Sequence, residues 1–292
     1  MSKLKQAIDS GKFVVTGEIG PPKGVNIAKC LEDAESLRDR VAAVNVTDLQ
    51  SAVMRIGSMA VCARLVQRGL EPVYQLTCRD RNRLALQSDL LSAWALGIEN
   101  VLCLTGDHPN LGDHAEAKPV YDLDSVQLLK VASTLNGGQD MAGHELEGSP
   151  GFFLGGVVTP GAEPAELHII KMRKKVAAGA RFFQSQAVYE PEKFEQFMNR
   201  LPDLGAPVMA GIVVLKSAAM ARYMNANVAG ISVPESLVEE MAATAKEDRR
   251  KKAVEISARL IRQVKPLCRG VHIMPLGWDD LVPEIIKQAD LG

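Results

Sequence analysis

Phe13-Val14-Val15-Thr16-Gly17-Glu18-Ile19 is a run of strand-forming residues interrupted by one carboxylate, and it breaks at Gly20-Pro21-Pro22-Lys23-Gly24. β-Branched and aromatic residues bounded by Gly and Pro predict a strand, and the periodic apolar pattern that follows, Asn26 to Arg40, predicts a helix. The turn between them decides the fold. A doubly wound sheet that binds a dinucleotide carries Gly-x-Gly-x-x-Gly at this position, and no such pattern follows Ile19. Glu18 is a second signal, because burying an isolated carboxylate is expensive; a charge inside an apolar run is functional, paired or held neutral.

The same strand-then-helix unit repeats along the chain. Val41 to Thr47 leads into Ser51 to Arg68, Glu71 to Thr77 into Arg81 to Leu96, and Asn100 to Leu104, after a long loop, into Asp124 to Leu135. Phe152 to Val158 precedes Glu163 to Ala178, Arg181 to Ser185 precedes Pro191 to Arg200, Pro207 to Val213 precedes Ser217 to Asn225, and Gly270 to Met274 precedes Trp278 to Ala289. Further helical sequence, starting at Pro234 and running from the charged stretch Lys246 to Lys252 on to Val264, lies before the last strand. With no linker-like composition, residues 1–292 read as one α/β domain: a parallel eight-stranded TIM-type (βα)8 barrel with extra helices before its last strand. An open doubly wound sheet is the runner-up. The polar, Gly-rich segment Gly137 to Gly151 reads as an exposed loop or a bent helix end.

Composition narrows the partners. With 34 basic against 35 acidic residues the formal net charge is −1, so no electrostatic footprint for nucleic acid or a membrane surface is present. The apolar runs fall short of the roughly 20 residues that span a bilayer, and Met1 to Lys12 has no secretory apolar region, which points to the cytoplasm. Cys30, Cys62, Cys78, Cys103 and Cys268 are dispersed without metal-ligand spacing, as expected of reduced, buried thiols.

A barrel of this kind places its active site at the C-terminal ends of its strands. In order, those ends carry Glu18, Thr47-Asp48, Gln75 and Thr77, Gly106-Asp107-His108, Thr159, Gln184 and Gln186, then His272 and Trp278-Asp279-Asp280. Most have an ordinary explanation as well. Thr47-Asp48 could cap the helix starting at Ser51, Gly106-Asp107 could form a turn, and Gln186 could satisfy a backbone group. His108 and His272 stand singly and read as structural residues. Lys171, Arg173, Lys174 and Lys175 complement a helix C-terminus or form an exposed basic face, and an anionic ligand such as phosphate is the alternative. Glu18 and Asp107, two acids on separate strand ends, form a pair that environment can tune apart, one holding a proton while the other stays ionised.

These residues resemble the methylenetetrahydrofolate reductase family, flavin enzymes built on an eight-fold βα barrel. Thr16-Gly17-Glu18-Ile19-Gly20-Pro21-Pro22-Lys23 is similar to the first-strand motif of that family, Leu76-Thr77-Cys78 to the third, and Leu104-Thr105-Gly106-Asp107 to the fourth. Lys174 to Ala180 followed by Gln186 is similar to its fifth helix and sixth strand. The resemblance implies reduction of 5,10-methylenetetrahydrofolate to 5-methyltetrahydrofolate by hydride from N5 of a reduced flavin. It implies Glu18 as general acid, Asp107 as stabiliser of the cationic iminium and contact to both ligands, and Gln186 as a folate contact. It also implies a flavin, FAD ahead of FMN, lined by Thr47, Gln75, Thr105, Gly106, Asp107, Thr159, Lys174 and Lys175.

The chain also departs from the common bacterial pattern. Thr105 stands where many members carry Arg, and Gln75 where they carry His. His272-Ile273-Met274-Pro275-Leu276-Gly277-Trp278 replaces a last-strand run that ends in Arg, and resembles a short lineage of anaerobes in which a separate subunit delivers electrons. A partner protein is therefore expected as electron source, and a homo-oligomer is compatible with the chain. Two other readings stand beside the reductase: a flavin-free folate barrel that transfers a methyl group to a corrinoid protein, and a subunit active only inside an electron-transfer complex.

Overall fold

The computed structural model describes residues 2–291 and shows eight parallel strands closed into a barrel in sequential order. The strands are β1 (Val14–Ile19), β2 (Ala43–Val46), β3 (Pro72–Thr77), β4 (Asn100–Leu104), β5 (Phe153–Val158), β6 (Phe182–Ala187), β7 (Val208–Val213) and β8 (Gly270–Met274). Closure is direct: Val14, Thr16 and Gly17 on β1 pair with Gly270, His272 and Ile273 on β8. Each expected strand is present, most of them within a residue or two of its expected bounds.

The surrounding helices are α1 (Lys3–Asp9), α2 (Ala28–Ser36), α3 (Ser58–Gln67), α4 (Arg83–Ala95), α5 (Ser125–Asn136), α6 (Ala165–Ala177), α7 (Pro191–Arg200), α8 (Ala218–Asn227), α9 (Glu235–Ala243), α10 (Arg249–Val264) and α11 (Val282–Gln288). The extra helices before the last strand are α9 and α10. No helix among the described residues is long and apolar enough to cross a membrane.

Three local expectations change. Residues 51–57 are not α-helical: Gln50–Ala52 form a distorted 3₁₀ turn, Leu49, Ser51 and Ala52 all take positive φ, at 48°, 56° and 57°, and α3 starts only at Ser58. This strained segment is held from outside, because Gly112 packs on it so closely that a Cβ there would lie 1.8 Å from the Ala52 carbonyl oxygen. The helix expected from Trp278 opens instead as a 3₁₀ turn, Asp279–Leu281. An unanticipated helix, α1, precedes the first strand. Its seven residues are too short for periodicity to show, and two contacts outside that pattern hold it: the Ser2 side chain accepts from Lys5 N at 2.9 Å, and Leu4 N donates to Glu71 Oε1 at 3.0 Å. The segment between α5 and β5 is a loop, with an isolated antiparallel bridge between Gln139 and Glu145.

The barrel interior changes character along its axis. Its floor is apolar: Leu4 from α1 plugs a cluster with Val14, Ala43, Val73, Leu102, Phe153, Phe182 and Met209. Phe153 and Phe182 stack with centroids 5.0 Å apart, and only Gly fits at 155, since a Cβ would sit 2.2 Å from the Phe182 ring. Above the floor lies a buried polar layer of Thr16, Asn45, Gln184 and His272. Its members satisfy one another: Asn45 Nδ2 donates to Gln184 Oε1 at 2.7 Å, and Gln184 Nε2 donates to Asn45 Oδ1 at 3.1 Å and Thr16 Oγ1 at 3.2 Å. The larger apolar core lies between the strands and the helices outside them.

Candidate active site

Above the polar layer the barrel opens into a cavity of about 440 Å³ at the C-terminal strand ends. Glu18, on β1, forms part of its wall and is only 6% exposed. Gln75 Nε2 donates to Glu18 Oε2 at 3.0 Å, and Gln50 Nε2 reaches Oε1 at 3.5 Å. His272 Nε2 approaches Oε2 at 3.4 Å from β8. A carboxylate inside an apolar strand is thus partnered by neutral donors and a histidine, with no Lys or Arg among the described residues ion-paired to it, and it faces a cavity that admits a ligand.

Thr47 and Asp48, at the end of β2, divide the work. Asp48 does not cap a helix: its carboxylate accepts from Thr77 N at 3.0 Å, Thr77 Oγ1 at 2.8 Å and Arg81 Nη1 at 2.8 Å. It thereby ties the mouth ends of β2 and β3 together. The Thr47 hydroxyl is buried in the cavity wall and has no hydrogen-bond partner among the described residues.

Next along the wall, Gly106 turns the chain after β4 with φ +93°, and a Cβ there would press on Thr77 and Arg79 at 3.1 Å. The backbone is therefore bare at the cavity surface. Asp107 follows, exposed and facing the cavity, and its carbonyl accepts from Arg79 Nη1 at 3.2 Å. Arg79 is itself buried, chelated by Asp80 and spanning to the Leu49 carbonyl at 3.4 Å, so one guanidinium joins the loops after β2, β3 and β4. His108 caps the 3₁₀ turn Pro109–Leu111 through Nδ1, which accepts from Asn110 N at 3.2 Å; this is the structural role expected of it.

The far side of the cavity is basic. Lys175 on α6 is only 5% exposed, donates to the Val157 carbonyl at 2.6 Å, and is pulled down to a pKa of about 8, first by burial and then by the charge of Lys171. Lys171 and His168, one and two turns earlier on the same face, also line the cavity. Burial, with the neighbouring lysines, pulls the His168 pKa down. Lys174 is exposed and is not in the cavity wall, because a helix rotates about 100° per residue and carries it off that face. At the start of α5, Ser125 lines the cavity and its N–H donates to Thr105 Oγ1 at 3.2 Å, while the Asp124 carboxylate caps the next two N–H groups, of Val126 and Gln127.

Of the residues expected at the site, Glu18, Thr47, Gln75, Thr105, Gly106, Asp107, Thr159, Lys175 and Gln186 converge on this one cavity, and Lys174 does not. Gln186 is half-buried, and its side-chain oxygen accepts from Ala187 N at 3.2 Å, so it also serves the strand end as expected. Lys171 and His168 were legible in sequence as positions 4 and 7 residues before Lys175 on one helical face. Arg79 and Gln50 carried no such signal, since loop residues acquire neighbours only when the barrel closes.

The chain matches the family model for methylenetetrahydrofolate reductase over residues 3–290. It is 26% identical over 308 residues to methylenetetrahydrofolate reductase 2 of Schizosaccharomyces pombe, covering 99% of this chain and 47% of that protein. It is 26% identical over 204 residues to the 5,10-methylenetetrahydrofolate reductase of Salmonella typhimurium, covering 68% of this chain and 62% of that protein. The chain thus spans under half of the yeast protein and under two thirds of the bacterial one. Among solved structures, an uncharacterized Clostridium thermocellum protein that binds two copies of 5-methyl-5,6,7,8-tetrahydrofolic acid has a TM-score of 0.65 at 17% identity, covering 99% of both chains, and shares the fold.

Proposed function

The chain belongs to the methylenetetrahydrofolate reductase family, and from that premise we propose that it reduces 5,10-methylenetetrahydrofolate to 5-methyltetrahydrofolate, with Glu18 as general acid. The observation that carries this reading is the buried Glu18 carboxyl, held by neighbouring side chains and facing the cavity. Glu18 gives its proton to the amine nitrogen that leaves as the five-membered ring of the folate opens. The C–N bond breaks with its electrons going to that nitrogen, and a cationic iminium forms. Asp107, at the end of β4, offers negative charge to that cation, and Gln186 offers an amide to the folate.

The wall also suits a flavin. It provides an orphaned hydroxyl at Thr47, a bare backbone at Gly106, and a basic face of Lys171 and Lys175. Gln75, Thr105 and Thr159 complete the residues we assign to it. FAD and FMN both carry phosphate for the basic face, where Lys171 takes the place expected of Lys174. A flavin bound here supplies the hydride. We further read the electron source as a separate protein subunit, supported by the resemblance of residues 272–278 to the lineage that uses one.

Two results are expected. The purified protein absorbs as a flavoprotein, and after anaerobic reduction by dithionite it is reoxidised by methylenetetrahydrofolate with formation of 5-methyltetrahydrofolate. A colourless protein that takes up neither FAD nor FMN would overturn the flavin assignment, and methyl transfer to a corrinoid protein would then be the reaction to assay. Binding of inorganic pyrophosphate or FMN should also weaken as pH rises through about 8, because Lys175 loses its charge there. Titration of affinity from pH 6.5 to 9.5 (about one and a half units either side) is the measurement, and Lys175→Met should flatten the profile.

A further inference from the structure

The polar layer beneath the cavity has a direction, and it ends on Glu18. Gln184 Nε2 donates to Thr16 Oγ1 at 3.2 Å, and Thr16 Oγ1 lies 3.0 Å from His272 Nδ1. His272 Nε2 then stands 3.4 Å from Glu18 Oε2. All of these side chains are buried, so each hydrogen must find an acceptor.

Only one tautomer satisfies the chain. If Nδ1 carried the hydrogen of His272, Thr16 Oγ1 would accept twice, from Gln184 and from His272, and its own hydrogen would have no acceptor among the described residues. The bare Nε2 lone pair would also face Oε2, which already accepts from Gln75. With the hydrogen on Nε2, Thr16 donates to Nδ1, Gln184 is satisfied by Thr16, and the Nε2 that carries the hydrogen is the one 3.4 Å from Glu18 Oε2.

We propose that His272, fixed as its Nε2–H tautomer by Thr16, is the positioning residue of Glu18: with Gln75 it occupies Oε2 and leaves Oε1 to carry the acid proton into the cavity. Among the described residues, Oε1 has only the long 3.5 Å approach of Gln50. The 3.4 Å contact between His272 and Glu18 is an electrostatic approach, of the kind that tightens in a substrate complex. The chain is not a proton wire. Behind Thr16 it ends in the amides of Gln184 and Asn45, which have no proton to pass on, so Glu18 is reprotonated from the cavity side.

This inference rests on the reading of Glu18 as the acid, and the test separates the two. ¹⁵N NMR of histidine-labelled resting protein, with the His272 signals assigned by their loss in His272→Gln, should show a pyridine-type Nδ1 and a pyrrole-type Nε2. Thr16→Val, close to isosteric, should perturb that tautomer and lower kcat of the folate half-reaction about 10- to 100-fold with KM little changed, the size of losing a hydrogen bond to a charged group. His272→Leu should do the same, and His272→Gln, which keeps an N–H donor, should recover part of the loss. A pyridine-type Nε2 in the resting protein overturns the proposal, as does full kcat in a folded Thr16→Val or His272→Leu. Undiminished folate reduction by Glu18→Gln, with the tautomer as stated, instead overturns the acid assignment and leaves His272 as a positioned donor to a carboxylate that is not the acid.

Discussion

Glu18→Gln should lower the rate of the folate half-reaction by about 10² to 10⁴, the usual contribution of a positioned proton donor. The substitution keeps the volume and the hydrogen-bonding partners Gln75, Gln50 and His272 within reach, and removes only the acid. Reduction of bound flavin by dithionite should be untouched, because that step needs no proton from this side chain. Stopped-flow measurement of the two half-reactions checks the split. Equal loss in both would mean that the variant disturbs flavin binding, and no loss in the folate step would remove Glu18 from its assigned role. The expected size exceeds that for Thr16→Val because His272 acts on the acid and does not replace it.

Asp48→Ala should be the most damaging substitution for the fold at the cavity. The Asp48 side chain is fully buried and accepts from the Thr77 backbone, the Thr77 hydroxyl and Arg81. Removing it orphans two buried donors on β3 and leaves Arg81, whose side chain is 18% exposed, without its buried counter-ion. Breaking a buried ion pair from one side costs about 3–5 kcal/mol. Arg81 retains Asp89 at 2.9 Å, which places the expected loss toward the lower end. Urea unfolding monitored by far-ultraviolet circular dichroism measures it, and Asp48→Asn, which can still accept from Thr77, should lose less. A loss under about 1 kcal/mol for the alanine variant would show that the pair is worth no more than a surface bridge.

The strands were legible because their β-branched runs and Gly or Pro boundaries are local, and their number and spacing were enough to close a barrel. Glu18 was legible for a similar reason: a charge inside an apolar run is visible without any partner. What local pattern could not supply was anything created by closure. Asp48 reads as a helix cap in sequence, yet its partners are on the next strand and its loop. His272 reads as a lone structural histidine, and only the pairing of β1 with β8 brings it beside Thr16 and Glu18. The basic helix was half legible. Its cations were obvious and the resemblance implied Lys174 with Lys175, while the helix turns Lys171 with Lys175 toward the cavity and carries Lys174 off that face.

Four of the loops that border the mouth, those after β1 to β4, are keyed to one another. Gly112 is wedged against Ala52, Asp113 accepts from Met54 N at 2.9 Å and pairs with Lys23, and Arg79 pins the carbonyls of Leu49 and Asp107. Loops joined at so many points cannot act as independent flaps. The rim after β1 to β4 is built as a single plate, so a ligand that displaces one of these loops must also break its contacts with the neighbouring ones.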